Sequence, residues 1–93
     1  MSEEARGGRP RLTRKVRLKY DAIEQRFMVL YPERGIVLNG SAAEILKRCD
    51  GERDATAIAA DLASATGAPI AQVQADVAAF LEEMRKRGVV EFA

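Results

Sequence analysis

The chain has no histidine, a single cysteine and almost no net charge, and each shortage excludes something. Without histidine the usual general acid–base group is missing, and so is the commonest metal ligand. Cys49 alone cannot close an internal disulfide, which agrees with a reducing compartment. Fifteen basic residues against fourteen acidic ones leave +1, so bulk charge names no polyanionic partner. No stretch approaches the ~20 apolar residues of a membrane span. The start, "MSEEARGGRP", lacks the apolar core of a signal peptide. A soluble, cytoplasmic protein with no membrane partner is expected.

What is present is ordinary for a globular domain: 93 residues, 47% apolar and 31% charged, enough for one modest core. The charge is unevenly spread. Residues 1–26 hold eight basic and four acidic residues, whereas residues 27–93 hold seven and ten. The basic excess sits at the amino-terminal end. Residues 1–10, polar and containing Gly7, Gly8 and Pro10, read as a disordered arm, and 11–93 as a single domain.

In "VRLKY", Val16, Leu18 and Tyr20 alternate with Arg17 and Lys19, the period-two pattern of a strand with one wet face. After "DAIEQR", the stretch "FMVLY" puts Phe27, Val29 and Tyr31 on one face and Met28 and Leu30 on the other. "PERG" reads as a loop in which Gly35 is free to take positive φ. "IVLN" then places Ile36 and Leu38 on one face and Val37 on the other. Three helical segments follow. The first carries Ala42, Ile45, Leu46 and Cys49 on one side, with Ser41 or Asn39 as N-cap, and stops at Gly51. The second runs from an Asp54 cap to Gly67, with Ile58, Leu62 and Ala65 inward. The third opens at Pro69 and carries Ile70, Val73, Val77, Phe80, Leu81 and Met84 along one side. "VVEF" forms a last strand or tucks against the core. The fold class is α+β: a three-stranded antiparallel meander followed by three helices, resembling a winged helix-turn-helix.

Catalysis finds no support in these residues. Cys49 lies on an apolar stripe, where a buried small hydrophobe is the simpler reading. Asp54, Asp61, Asp76, Glu82 and Glu83 are scattered over helix surfaces, so no catalytic residue, metal site or cofactor is assigned. The alternative, a winged-helix nucleic-acid-binding module, meets a charge obstacle. The third helix offers Gln72 and Gln74 but also Asp76, Glu82 and Glu83, and the second has no cation. A polyanion is repelled there, and no nucleic-acid partner is expected.

A peptide partner fits better. The third strand is an edge of a three-strand meander, and "IVLN" carries no lysine, proline or inward charge to block its unpaired backbone groups. It can accept an incoming strand. Two alternatives stay open at this level, pairing with "VVEF" or with a second copy of the chain.

"PRLTRKVRLKYD", "YPERGIVLN" and "SAAEILKRCDG" together resemble the PqqD family, small peptide chaperones of pyrroloquinoline quinone biosynthesis. The resemblance runs from about Pro10 to the carboxyl terminus. It implies a non-enzymatic peptide-recognition domain that binds a ribosomally made precursor peptide. It further implies presentation of that peptide to a radical S-adenosylmethionine (SAM) enzyme, which cross-links a Glu and a Tyr in it. The family's mode of binding adds the leader as a strand beside the third strand and against the third helix. On that basis Ile36, Val37, Leu38 and Asn39 supply the ladder. At about 100° per residue, Val73, Val77 and Met84 centre the inner stripe of the third helix. Gln74, Ala78, Leu81 and Arg85 lie along one flank and Phe80 on the other. The groove wall is assigned to Val77 and the Leu81 flank, because small Ala78 permits close approach and Arg85 can pair with an acidic peptide residue.

Overall fold

The computed structural model describes residues 8–31 and 34–93. Five strands and three helices follow in the order β1 (Pro10–Leu12), β2 (Arg17–Asp21), β3 (Arg26–Tyr31), β4 (Arg34–Leu38), α1 (Gly40–Lys47), α2 (Ala55–Thr66), α3 (Ile70–Lys86) and β5 (Val90–Phe92). The expected meander is present as an antiparallel sheet of order β2-β3-β4, with three helices after it.

The hairpin between β2 and β3 turns on Asp21, whose Oδ1 accepts from the backbone N–H groups of Ile23 (3.0 Å) and Glu24 (3.2 Å). Gln25 completes the turn at φ 54°. Register pairs Leu18 with Val29 and Val29 with Ile36, so the alternation read from the sequence becomes one inward face. Val29 and Leu38 are buried there, while Leu18, Phe27, Tyr31 and Ile36 pack on the core partly exposed. Gly35 differs from its expected role. It does not adopt positive φ but sits within β4, where a Cβ would meet Leu30 Cδ2 and Met28 Cε at 3.3 Å.

Helix ends follow cap chemistry. Asn39 Oδ1 accepts from the Ala42 N–H at 2.8 Å, so Asn39 rather than Ser41 is the N-cap of α1. Asp54 does the same for α2 through the Ala57 N–H, and Gly67 ends that helix at φ 76°. Helix α1 stops at Lys47, earlier than Gly51. Along α2 the inward residues are Ile58, Ala59 and Leu62, whereas Ala65 is exposed. In α3 the buried residues are Val77, Leu81 and Met84, and Ile70 is exposed. The core gathers these with Ile45, Leu46, Cys49, Val89 and Val90.

A second, two-stranded sheet pairs β1 with β5, Arg11 opposite Glu91. It corrects the extent of the arm. Residues 1–7 of that expected arm lie outside the described residues, but Pro10 is fully buried and Arg9 exchanges backbone hydrogen bonds with Ala93. Thr13 Oγ1 donates to the Gly88 carbonyl at 2.7 Å, and the Gly51 N–H donates to the Pro10 carbonyl at 2.9 Å. This pairing also removes one alternative for the third strand: "VVEF" belongs to β1, not to β4.

Candidate functional site

β4 is hydrogen-bonded to β3 along one side and is the sheet's edge on the other. Ile36 and Leu38 point to the core, and Val37, on the opposite face, is 49% exposed. Past Arg34, the strand carries Gly35, Ile36, Val37 and Leu38, with neither charge nor proline. Asn39 lies just beyond it. Its side chain caps α1, and its carbonyl accepts from the Ala43 N–H, so its role is to end the strand and start the helix.

Where β4 runs into α1, a cleft of about 590 Å³ opens between the start of α1, the end of α2 and the first half of α3. Ile45, Leu62, Val73 and Val77 give it an apolar lining, and Ser41, Glu44, Thr66, Gln72 and Asp76 are its polar residues. A smaller cavity lies between the hairpin and α1, bordered by Tyr20, Phe27, Leu38 and Ala43. There Tyr20 and Phe27 meet edge to face at 4.9 Å, and Lys47 Nζ stands 4.3 Å above the Phe27 ring.

The nine residues assigned from sequence fall into three groups. Ile36, Val37, Leu38 and Asn39 are contiguous at the β4 edge. Val77 lines the cleft but is only 1% exposed, and Leu81, also 1% exposed, is closed into the core. Gln74 is exposed and Ala78 and Arg85 are half-buried, but none of the three borders the cleft. The cleft lies on the other flank of α3, that of Gln72, Val73 and Asp76. Glutamine and aspartate four residues apart around the Val73–Val77 stripe were the available signal for it. Arg85 is already engaged, donating to both carboxylate oxygens of Glu82 and holding that carboxyl below its ordinary range.

Behind the cleft an ion-pair network joins α1 to α2. Arg48 donates from Nη1 to Glu44 Oε1 at 2.8 Å and from Nε to Asp61 Oδ2, which Arg53 also approaches at 3.6 Å. These hydrogen bonds to Arg48 hold the Glu44 and Asp61 carboxyls low, and Lys47 adds to the effect on Glu44. Cys49 is buried, donates from Sγ to the Ile45 carbonyl, and has its thiol pushed up to about 12, chiefly by burial. A thiol so placed is held as the neutral form and is a poor nucleophile. Among the described residues, no three His, Cys, Asp or Glu side chains gather into a metal-binding group. No helix is long and apolar enough to cross a membrane among them.

The family model described as coenzyme PQQ synthesis protein D (PqqD) matches residues 26–90. A relative from Rhodopseudomonas palustris (strain TIE-1), named PqqA binding protein, is 42% identical over 80 residues, covering 86% of this chain and 78% of its own. The solution structure of the PqqD portion of Methylobacterium extorquens PqqCD superposes with a TM-score of 0.77 at 34% identity, over 88% of this chain and 87% of that one. It is described as a functional, stand-alone recognition element for ribosomally synthesised and post-translationally modified peptides. Lasso peptide synthetase B1, solved with its leader peptide, shares the fold at a TM-score of 0.76 and 19% identity, over 89% of this chain and 98% of its own. The chain belongs to the PqqD family, a family of peptide-recognition proteins and not of enzymes.

Proposed function

We propose that this protein binds the precursor peptide of pyrroloquinoline quinone biosynthesis as a strand added to the free edge of β4, and presents it to a cytoplasmic radical SAM enzyme. The observation that carries the reading is the β4 edge itself: a row of backbone groups paired on one side only, with no charge after Arg34. The name of the 42%-identical relative, PqqA binding protein, supports the peptide as the occupant. Main-chain hydrogen bonds along Ile36, Val37 and Leu38 provide affinity that is insensitive to sequence, and side-chain pockets provide selection. For those pockets the cleft at the foot of β4, with Val73 and Asp76, replaces the Gln74–Ala78–Arg85 flank. Asp76 has no ion pair among the described residues and faces an apolar lining, so a basic residue beside an apolar one suits it.

Titration of isotope-labelled protein with the precursor peptide tests the proposal. Amide shifts are expected at residues 36–38 and along the Gln72–Val77 face of α3. Shifts confined to other elements would reject strand addition here. Binding of a DNA duplex through α2 and α3, weakening steeply with salt, would return the nucleic-acid reading.

A further inference from the structure

The sheet has a second face, and among the described residues no helix covers it. Register puts Arg17 opposite Leu30, Lys19 opposite Met28, and Met28 opposite Val37. These five side chains therefore share the face turned away from the helices. Met28 and Leu30 are half-exposed, Val37 is 49% exposed, and none of the three belongs to the core or packs against it. Side-chain-free Gly35 lets Leu30 and Met28 lie across β4, so the apolar surface is continuous from β3 to Val37. Arg17 and Lys19 border it along β2, and neither makes an ion pair among the described residues.

We propose that this outer face of the sheet is the docking surface for the peptide-modifying enzyme, through an apolar patch on that enzyme bordered by carboxylates. The inference rests on the peptide-binding reading, and it assigns the enzyme a surface of its own. Charge complementarity selects the occupant. A second copy of the chain docked by two-fold symmetry would bring its own Arg17 and Lys19 to the same interface, and Asp21, the carboxylate on this face, is already occupied by the N–H groups of its own turn. Nucleic acid is disfavoured because the floor is aliphatic. Tyr20, Phe27 and Tyr31, the aromatic residues of this sheet, lie on the opposite face, so there is no platform for base stacking. The face is also continuous with the β4 edge. A strand added there would extend it by one strand, and an enzyme seated on Met28, Leu30 and Val37 would meet the peptide's outward side chains directly.

The test measures two affinities for the full chain, one for the precursor peptide alone and one for the radical SAM enzyme alone. The parent and the variants Arg17→Glu/Lys19→Glu and Arg17→Gln/Lys19→Gln are compared. Charge reversal is expected to weaken enzyme binding by about tenfold or more and neutralisation by less, with the parent's enzyme affinity falling as salt rises. Peptide affinity should stay within about twofold throughout, as rim charges away from the β4 ladder require. The neutral variant and the salt series decide the matter if charge reversal impairs folding. Unchanged enzyme affinity in both variants, or a parent affinity indifferent to salt, overturns the proposal. So does loss of peptide affinity in a folded variant, which would make this face part of the peptide site. Failure of the parent to bind peptide while still binding enzyme would instead reject the strand-addition reading and leave the docking surface standing.

Discussion

The two edges of the β2-β3-β4 sheet have opposite chemistry. The β2 edge carries Arg17, Lys19 and Asp21 on one face in five residues, all charged and alternating with Leu18 and Tyr20. The β4 edge carries a single charge, Arg34, at its start and then four uncharged residues. Both present unpaired backbone groups, so both are templates for a further strand. Charged side chains on β2 make an incoming strand desolvate them, whereas β4 makes no such demand. The contrast teaches that an open edge is not a general consequence of the small sheet: its charges guard β2, and after Arg34 nothing of the kind guards β4.

The largest expected effect comes from breaking the β4 ladder. Proline placed in turn at Ile36, Val37 and Leu38 removes one N–H at each position. Where that N–H points outward, peptide binding should fall by about 1–3 kcal/mol, or roughly 5–150-fold, through an acceptor left unsatisfied. Where it points to β3, the fold should lose stability instead, Tm dropping roughly 4–8 °C per kcal/mol. Calorimetry and melting curves on the three variants should therefore alternate in effect. Proline at Leu18 or Lys19 of β2 should leave the affinity of any folded variant unchanged. Three folded β4 variants that bind like the parent would end the strand-addition reading.

Making β2 resemble β4 is the complementary experiment. Arg17→Val with Lys19→Val removes the charges that guard that edge, and sedimentation should show self-association rising with concentration beyond that of the parent. An unchanged sedimentation profile would mean that those cations do not protect β2. Making β4 resemble β2 should have a smaller consequence. Val37→Lys should weaken peptide binding by about 2–5-fold, in keeping with the ~0.2–1 kcal/mol of one cross-strand side-chain pair.

The edges should also differ in their response to acid. β4 leads into α1, which Arg48 ties to Asp61 of α2, whereas the β2 edge has no ion pair among the described residues. Glu44 and Asp61 have folded pKa values below their ordinary ones. Their contribution is thus fully present above the ordinary carboxylate range and is lost as pH falls through the lowered folded values. Melting temperature should be flat from about pH 7 to 5 and decline below about pH 4, with a shallower decline in Arg48→Met. An identical decline in that variant would assign the acid sensitivity elsewhere. The smallest effect belongs to residues 1–7, which precede the family match at residue 26. Deleting them should change peptide affinity by less than about twofold, and a larger loss measured by calorimetry would bring that segment into the site.

Elements whose cause lies within a few residues were legible in the sequence. Alternation in "VRLKY", "FMVLY" and "IVLN" dictated three strands and their inward faces, because successive strand side chains must point to opposite sides. Asn39 and Asp54 announced helix starts, because a short polar side chain can reach the N–H three residues on. Family membership was likewise carried by local motifs. Features that depend on distant partners were not legible. Nothing in "PRL" reveals a strand until residues 90–92 arrive beside it, and only that pairing buries Pro10. Leu81 and Gln74 have similar angular claims on α3, yet packing buried the one and left the other in water. The cleft flank was decided by where α1 and α2 come to rest, and the bare outer face by all three helices choosing one side of the sheet. Periodicity fixes the angle of a side chain about its own axis, and only the neighbouring element decides which angles are filled.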